Sequence, residues 1–129
     1  MRGLGGFSRR RDPGGRGKVG EAAARGWLAS RGYRIVETNV RNHGGEIDVV
    51  AWDGDTLCFV EVKARASALY GLAVEAVDWR KRRRLVRAAN LYLTRVPEGT
   101  PCRFDVLALD RGAGGEWEAT LVRDAFQAE

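Results

Sequence analysis

The segment GGEIDVVAWDGDTLCFVEVKAR, residues 44–65, constrains the fold more than any other part of the chain. Two apolar runs rich in β-branched residues, about Glu46 to Trp52 and Thr56 to Arg65, flank DGDT, a strong hairpin turn signal. The same hairpin carries Glu46, Asp48, Glu61 and Lys63 among its apolar residues. Charges at the centre of a sheet are costly unless they are paired or bind something.

Strand side chains alternate between faces, so Glu46 and Asp48 point one way along their strand, as Glu61 and Lys63 do along theirs. Register decides whether the two sets meet. A two-residue turn centred on Asp53 and Gly54 pairs Asp48 with Phe59, and a four-residue loop from Asp53 to Thr56 pairs Asp48 with Glu61. Both put all four charges on one face, and only a three-residue loop separates them. Two carboxylates about 4 Å apart repel by roughly 4 kcal/mol at an effective dielectric near 20, and one lysine does not neutralise three of them. A divalent cation does, and Mg²⁺ favours one or two carboxylates completed by water and phosphate oxygens. An ion held by Asp48 and Glu61, with Lys63 beside it, suits phosphodiester hydrolysis. The plainer reading pairs Asp48 with Arg41 or Arg65 and Glu61 with Lys63 as ordinary ion pairs.

Around the hairpin, the Ala-rich VGEAAARGWLASRGY predicts a helix from about Val19 to Arg31, with Ala23, Trp27 and Ser30 on one stripe and Gly32 as its terminator. YRIVETNV reads as a strand and RNHGG as a loop. A second helix begins near Asp78, a good N-cap, and runs to Thr94 with Leu85, Ala88, Ala89 and Tyr92 inward. CRFDVLAL and EWEATLV are strands around the turn DRGAGG. The order is helix, three strands, helix, two strands, an α/β class with a mixed central sheet flanked by helices.

The chain has 129 residues, enough for one domain with a real core, and 22 basic against 17 acidic residues. Arg2, Arg9, Arg10, Arg11, Arg16 and Lys18 against Asp12 alone place the whole net charge of +5 in the first eighteen residues. This Gly- and Arg-rich stretch, residues 1–18, reads as a flexible basic tail, and residues 19–129 as the single domain. No apolar stretch follows its arginines, so a secretory signal is not expected, and a cytoplasmic location is. Cys58 and Cys102 lie in strand-like runs and read as buried free thiols, while His43 alone makes no usual zinc site. Trp27, Trp52, Trp79 and Tyr70 read as core. ALYGLA, with Tyr70 and Gly71, reads as irregular and suited to a lip over the site.

RKRRR, residues 80–84, opposes the dipole at the start of the second helix and repels itself, and phosphates relieve both. Arg80, Arg84 and Arg87 share one face, with Lys81 and Arg84 on a neighbouring one. Together with Arg41 and Arg65 they form the candidate nucleic-acid contacts. Pairing with Glu75 and Asp78 on a solvated face is the alternative.

Asp48, followed after a turn by Glu61-Val62-Lys63, resembles the D…ExK core of the PD-(D/E)xK nuclease superfamily, though Ile47 stands where the motif's name has proline. With GYRIVETNVR before it and AVDWRKRRRLVRAANLYL and RFDVLAL after it, the chain resembles the YraN family of small bacterial proteins from about Lys18 to Leu109. The resemblance implies a restriction-endonuclease-like core similar to Holliday-junction resolvases. It implies an Mg²⁺- or Mn²⁺-dependent endonuclease acting on DNA, with branched or irregular DNA as a candidate form, and by analogy a homodimer. Asp48 and Glu61 match its metal ligands, Lys63 its catalytic lysine, and Glu21 the acidic residue of the first helix, with the Val62 carbonyl as a further ligand. Glu21 reads equally as a complement to the helix dipole. A non-catalytic nucleic-acid-binding protein with the same fold is the second hypothesis, and a scaffold joining a larger assembly is the third.

Overall fold

The computed structural model describes residues 16–65, 79–112 and 114–127, with the backbone alone at 16–19 and 65. Its elements are α1 (Arg16–Ser30), β1 (Arg34–Asn42), β2 (Gly45–Asp53), β3 (Thr56–Arg65), α2 (Trp79–Tyr92), β4 (Cys102–Arg111) and β5 (Trp117–Val122), with a 3-10 turn, Leu93–Arg95, after α2. This is the expected α/β order. The strands form one sheet in the order β1-β2-β3-β4-β5. Neighbours are antiparallel except β3 and β4, which are parallel and have α2 between them in the chain, as a parallel crossover requires.

The sheet divides the core in two. On one face α2 lays Leu85, Ala88, Ala89 and Tyr92 against Ile47, Val50, Leu57, Phe59 and Phe104, the stripe its sequence predicts. On the other face α1 lays Ala24 and Leu28 against Val49, Ala51, Cys58, Val60, Leu107 and Leu109. The α1 stripe corrects the expected one. Ala23 and Trp27 only flank the contact, and Ser30 is exposed. A helix built largely of Ala and Gly has few large side chains to mark its inner face. Its end is as expected, with Gly32 at φ 93° and the Tyr33 N–H donating to the Leu28 carbonyl at 3.0 Å.

The β2–β3 pairing runs from Asp53↔Thr56 to Val49↔Val60, leaving Gly54 and Asp55 as the turn. Gly54 has φ 61° at the first central position, where a type II′ turn requires glycine. Of the registers open in the sequence, this one sets Asp48 opposite Glu61.

The β1–β2 turn has a different task. Its glycine, Gly44, lies so close to α2 that a Cβ there would stand 2.6 Å from backbone atoms of Arg87 and Ala88. Asn42 Nδ2 donates to the Ala88 carbonyl at 3.0 Å and Asn42 Oδ1 accepts from the Gly44 N–H at 2.8 Å. The turn therefore clamps the middle of α2 and fixes how the first turns of that helix overhang β2 and β3.

Cys58 is buried, but Cys102 is exposed, because it opens β4 ahead of the strand's buried stretch. Trp79, expected in the core, is 59% exposed at the start of α2. The basic tail up to residue 15, Tyr70, Gly71, Glu75 and the Asp78 cap lie outside the described residues. Among the described residues no helix is long and apolar enough to cross a membrane.

Candidate functional site

Leu57 and Phe59 of β3 face α2, and strand alternation carries Glu61 and Lys63 to the same side. The ladder between β2 and β3 runs as far as Val49↔Val60. Just there Asp48 Oδ2 accepts the Val62 N–H at 2.8 Å, so a side-chain carboxylate satisfies a strand donor. This bond fixes Asp48 beside Glu61. The two line one cleft with Gly45, Glu46, Lys81, Arg84 and Leu85, closed on one side by the hairpin and on the other by α2. Its volume of about 480 Å³ admits a hydrated ion together with a phosphoryl group. Lys63 Nζ stands 3.8 Å from Glu61 Oε2.

The electrostatics follow from burial. Glu61 is pushed up to about 8, first by desolvation and then by the neighbouring Asp48 charge, against the pull of Lys63 and Lys81. Asp48 is also raised by desolvation, and the Val62 N–H is the largest influence opposing the rise. Lys63 is lowered, by burial and then by the Lys81 amine within hydrogen-bonding reach. The cleft thus holds more carboxylate than its own amines keep ionised. Two hard oxygen donors in that state suit Mg²⁺ or Mn²⁺.

Glu21 stands outside this cleft. Its Oε2 accepts from Arg25 Nη1 at 3.0 Å and from Asn39 Nδ2 at 2.8 Å, and α1 packs on the opposite face of the sheet. Among the described residues no three His, Cys, Asp or Glu side chains are grouped to hold a metal. The carboxylates available to an ion here are Asp48 and Glu61, with Glu46 on the rim. Arg41 Nε pairs with Glu46 Oε2 at 2.9 Å, across β1 and β2. The Val62 residue assigned to a metal through its carbonyl is tied into the site through its N–H.

Of the basic candidates, Lys81 and Arg84 reach the cleft, whereas Arg80 and Arg87 are exposed elsewhere on α2. The Arg80 and Arg83 guanidinium groups lie 5.4 and 5.6 Å from the Trp79 ring centroid, a cation–π cluster at the helix start. The Arg65 side chain lies outside the described residues.

Two features escaped the sequence reading. Lys81, grouped there with a phosphate-gripping run, belongs to the carboxylate cleft. The spacing that shows it is four residues to the buried Leu85, one helical turn along the inward stripe. The other is a buried polar network on the α1 face. Asp105, fully buried, accepts from Arg103 Nε at 2.9 Å, Arg103 Nη2 at 3.0 Å, Tyr33 Oη at 3.3 Å and the Asp124 N–H at 2.9 Å. Arg103 also donates to Asp53 at 3.0 Å.

Comparison with known proteins adds a family. The model of the uncharacterised protein family UPF0102 matches residues 20–109, a span containing every residue that lines the cleft. UPF0102 protein STH1475 of Symbiobacterium thermophilum is 49% identical over 113 residues, covering 87% of this chain and 96% of the relative. A UPF0102 protein of Moorella thermoacetica is 51% identical over 117 residues, covering 86% and 94%. UPF0102 protein YraN of Salmonella agona is 47% identical over 113 residues, covering 85% and 82%.

Proposed function

The chain belongs to the uncharacterised protein family UPF0102, and from its own cleft we propose that it is a metal-dependent endonuclease-like protein that hydrolyses phosphodiester bonds in DNA. The observation that carries the reading is the convergence of Asp48 and Glu61 in one partly enclosed cleft, with the Val62 N–H on Asp48 and Lys63 beside Glu61. The resemblance of Asp48, Glu61, Val62 and Lys63 to the PD-(D/E)xK pattern supports the same chemistry.

Asp48 and Glu61 are the residues that would hold Mg²⁺ or Mn²⁺, with water, the Val62 carbonyl and substrate oxygens completing the shell. When bound, the ion supplies Lewis-acid polarisation of the phosphoryl group and a more acidic water. The chain's own residues do the positioning. The Val62 N–H holds Asp48 in place, and the Lys63 amine, 3.8 Å from Glu61, lies where it orients a nucleophilic water or meets charge developing on the phosphate. Arg80, Arg84 and Arg87 on α2 offer the flanking charges that a sugar-phosphate backbone needs.

The test is incubation with duplex, single-stranded and four-way-junction DNA in Mn²⁺ or Mg²⁺, with Lys63→Ala and Asp48→Asn alongside. Metal-dependent cleavage that both variants lose supports the reading. Equal cleavage by wild type and variants identifies a contaminant and overturns it. Mn²⁺ and DNA binding without any cleavage favours the non-catalytic nucleic-acid-binding alternative.

A further inference from the structure

We propose, resting on the phosphodiesterase reading above, that Lys81 is a second amine of the reaction centre, contacting the reacting phosphoryl group from the α2 side rather than the flanking backbone. Lys81 lies four residues before the buried Leu85, so it continues the inward stripe Leu85, Ala88, Ala89, Tyr92 by one turn. That position calls for an apolar residue in an amphipathic helix. Here it carries an ammonium group, and it lines the cleft with Asp48 and Glu61 while remaining exposed to an incoming ligand.

The residue type matters as well. Among 22 basic residues only Lys18, Lys63 and Lys81 are lysines, and two of these three meet beside Glu61. A chain that otherwise uses arginine places at this spot the compact ammonium, a mobile point charge with three donors, where arginine would present a planar fork that locks bidentately onto a carboxylate. Its approach is set by rigid parts. The Gly44 backbone against Arg87 and Ala88, and the Asn42 bond to the Ala88 carbonyl, hold α2 over the hairpin.

Charge matching gives Lys81 its task. In the metal-free cleft, Lys63 and Lys81 both draw on the charges of Asp48 and Glu61. A divalent cation on the two carboxylates balances them and leaves two ammonium groups facing the same space. A phosphodiester brings one negative charge, and attack on it concentrates more charge on the phosphoryl oxygens. Two neighbouring amines match that increase, which is the condition for stabilising the transition state over the ground state.

The experiment compares wild type, Lys81→Ala, Lys81→Arg and Arg83→Ala, the last a control beside Trp79 outside the cleft lining. Three measurements are made: steady-state kinetics on DNA with Mn²⁺ for kcat and KM, affinity for the dinucleotide TpT in Ca²⁺ by calorimetry, and Mn²⁺ affinity without DNA. Lys81→Ala is expected to lower kcat by about a hundredfold with little change in KM, the scale of losing one transition-state donor. It should weaken TpT by roughly tenfold and leave Mn²⁺ affinity equal or tighter, because a repelling charge next to the ion is gone. Lys81→Arg should recover TpT binding more than kcat, and Arg83→Ala should match wild type in all three. Unchanged kcat and TpT affinity in Lys81→Ala overturns the proposal and makes Lys81 a counter-ion only. If wild type binds Mn²⁺ but cuts nothing, the nuclease reading fails by itself, and loss of TpT binding in Lys81→Ala still supports the phosphoryl contact. If wild type does not bind TpT, the contact is refuted.

Discussion

Replacing Glu61 by Gln should stabilise the metal-free protein, by an amount that depends steeply on pH. In the fold the Glu61 carboxyl is raised from its ordinary 4.5 to about 8. Its side chain is 17% exposed, so solvent screens little of the effect. The folded state holds this proton more tightly than the unfolded chain, so folding takes up a proton between those two values. Stability from this group is therefore complete below pH 4.5 and lost as pH rises to 8. At about 1.4 kcal/mol per unit, the loss is roughly 3 kcal/mol by pH 7 and about 5 by pH 8. Glutamine keeps the shape and does not titrate. The advantage of Glu61→Gln should accordingly be small near pH 5 and grow to several kcal/mol near pH 8. Urea unfolding in EDTA, followed by tryptophan fluorescence across that range, measures it. Saturating Mn²⁺ should restore wild type at the alkaline end and do nothing for the variant, by about 2.7 kcal/mol at one hundred times Kd. Parallel pH profiles for wild type and Glu61→Gln would falsify the reasoning, because Glu61 would then be a paired, ionised surface group.

Asp48→Asn retains an acceptor for the Val62 N–H while removing a negative charge, so calorimetry should show Mn²⁺ binding abolished and urea titration in EDTA a higher midpoint. A lower midpoint would mark Asp48 as half of a structural ion pair. Gly44→Ala drives a methyl group into the α2 backbone and should cost about 1–3 kcal/mol in urea unfolding. No change there would refute the clamp. Asp105→Ala leaves Arg103 beside its buried network with one carboxylate fewer and should cost roughly 3–5 kcal/mol. A loss under about 1 kcal/mol would show that Asp53 and water replace Asp105 at little expense.

Strands were the readable part of this sequence, because period-two alternation and turn residues are local. The Thr56–Arg65 strand begins and ends where the pattern says, and the stripe of α2 is marked by Leu85 and Tyr92 among arginines. In α1 the contrast is missing, and the inner face rotates by one residue, from Ala23 and Trp27 to Ala24 and Leu28. Asp48, Glu61 and Lys63 were legible because one hairpin register decides their meeting. Glu21 was not, since its partners Arg25 and Asn39 depend on how α1 crosses β1. Asn39 itself, at φ 56°, takes a left-handed conformation that nothing in its neighbours announces. Trp79 reads as core by size alone, yet the arginines beside it supply a partner that leaves it at the surface. Arg103 and Asp105 share a strand face by the same alternation that drew attention to the hairpin, and the burial of Asp105 becomes plain only when Tyr33 and Asp124 arrive from distant parts of the chain.

The sheet contains its own control for the meaning of a buried acid. Asp105 is enclosed as fully as any core residue, and four donors from Arg103, Tyr33 and the Asp124 backbone fill its two oxygens. Such a group is finished, with no lone pair left for a ligand and a cation already bonded to it. Glu61 lies one strand away and Asp48 two, both desolvated on the other face of the sheet, and there Asp48 accepts a backbone N–H and Glu61 has a lysine at 3.8 Å. If charge were tolerated in this sheet only as structure, both clusters would be closed in the same way. One is closed by arginine, which stays charged and bonds in a fixed fork. The other shares its cleft with Lys81 and Arg84 and has Lys63 beside Glu61, with Asp48 and Glu61 both lining the opening. That difference in surroundings, more than the acids themselves, favours the proposed reading of the cleft as a binding site.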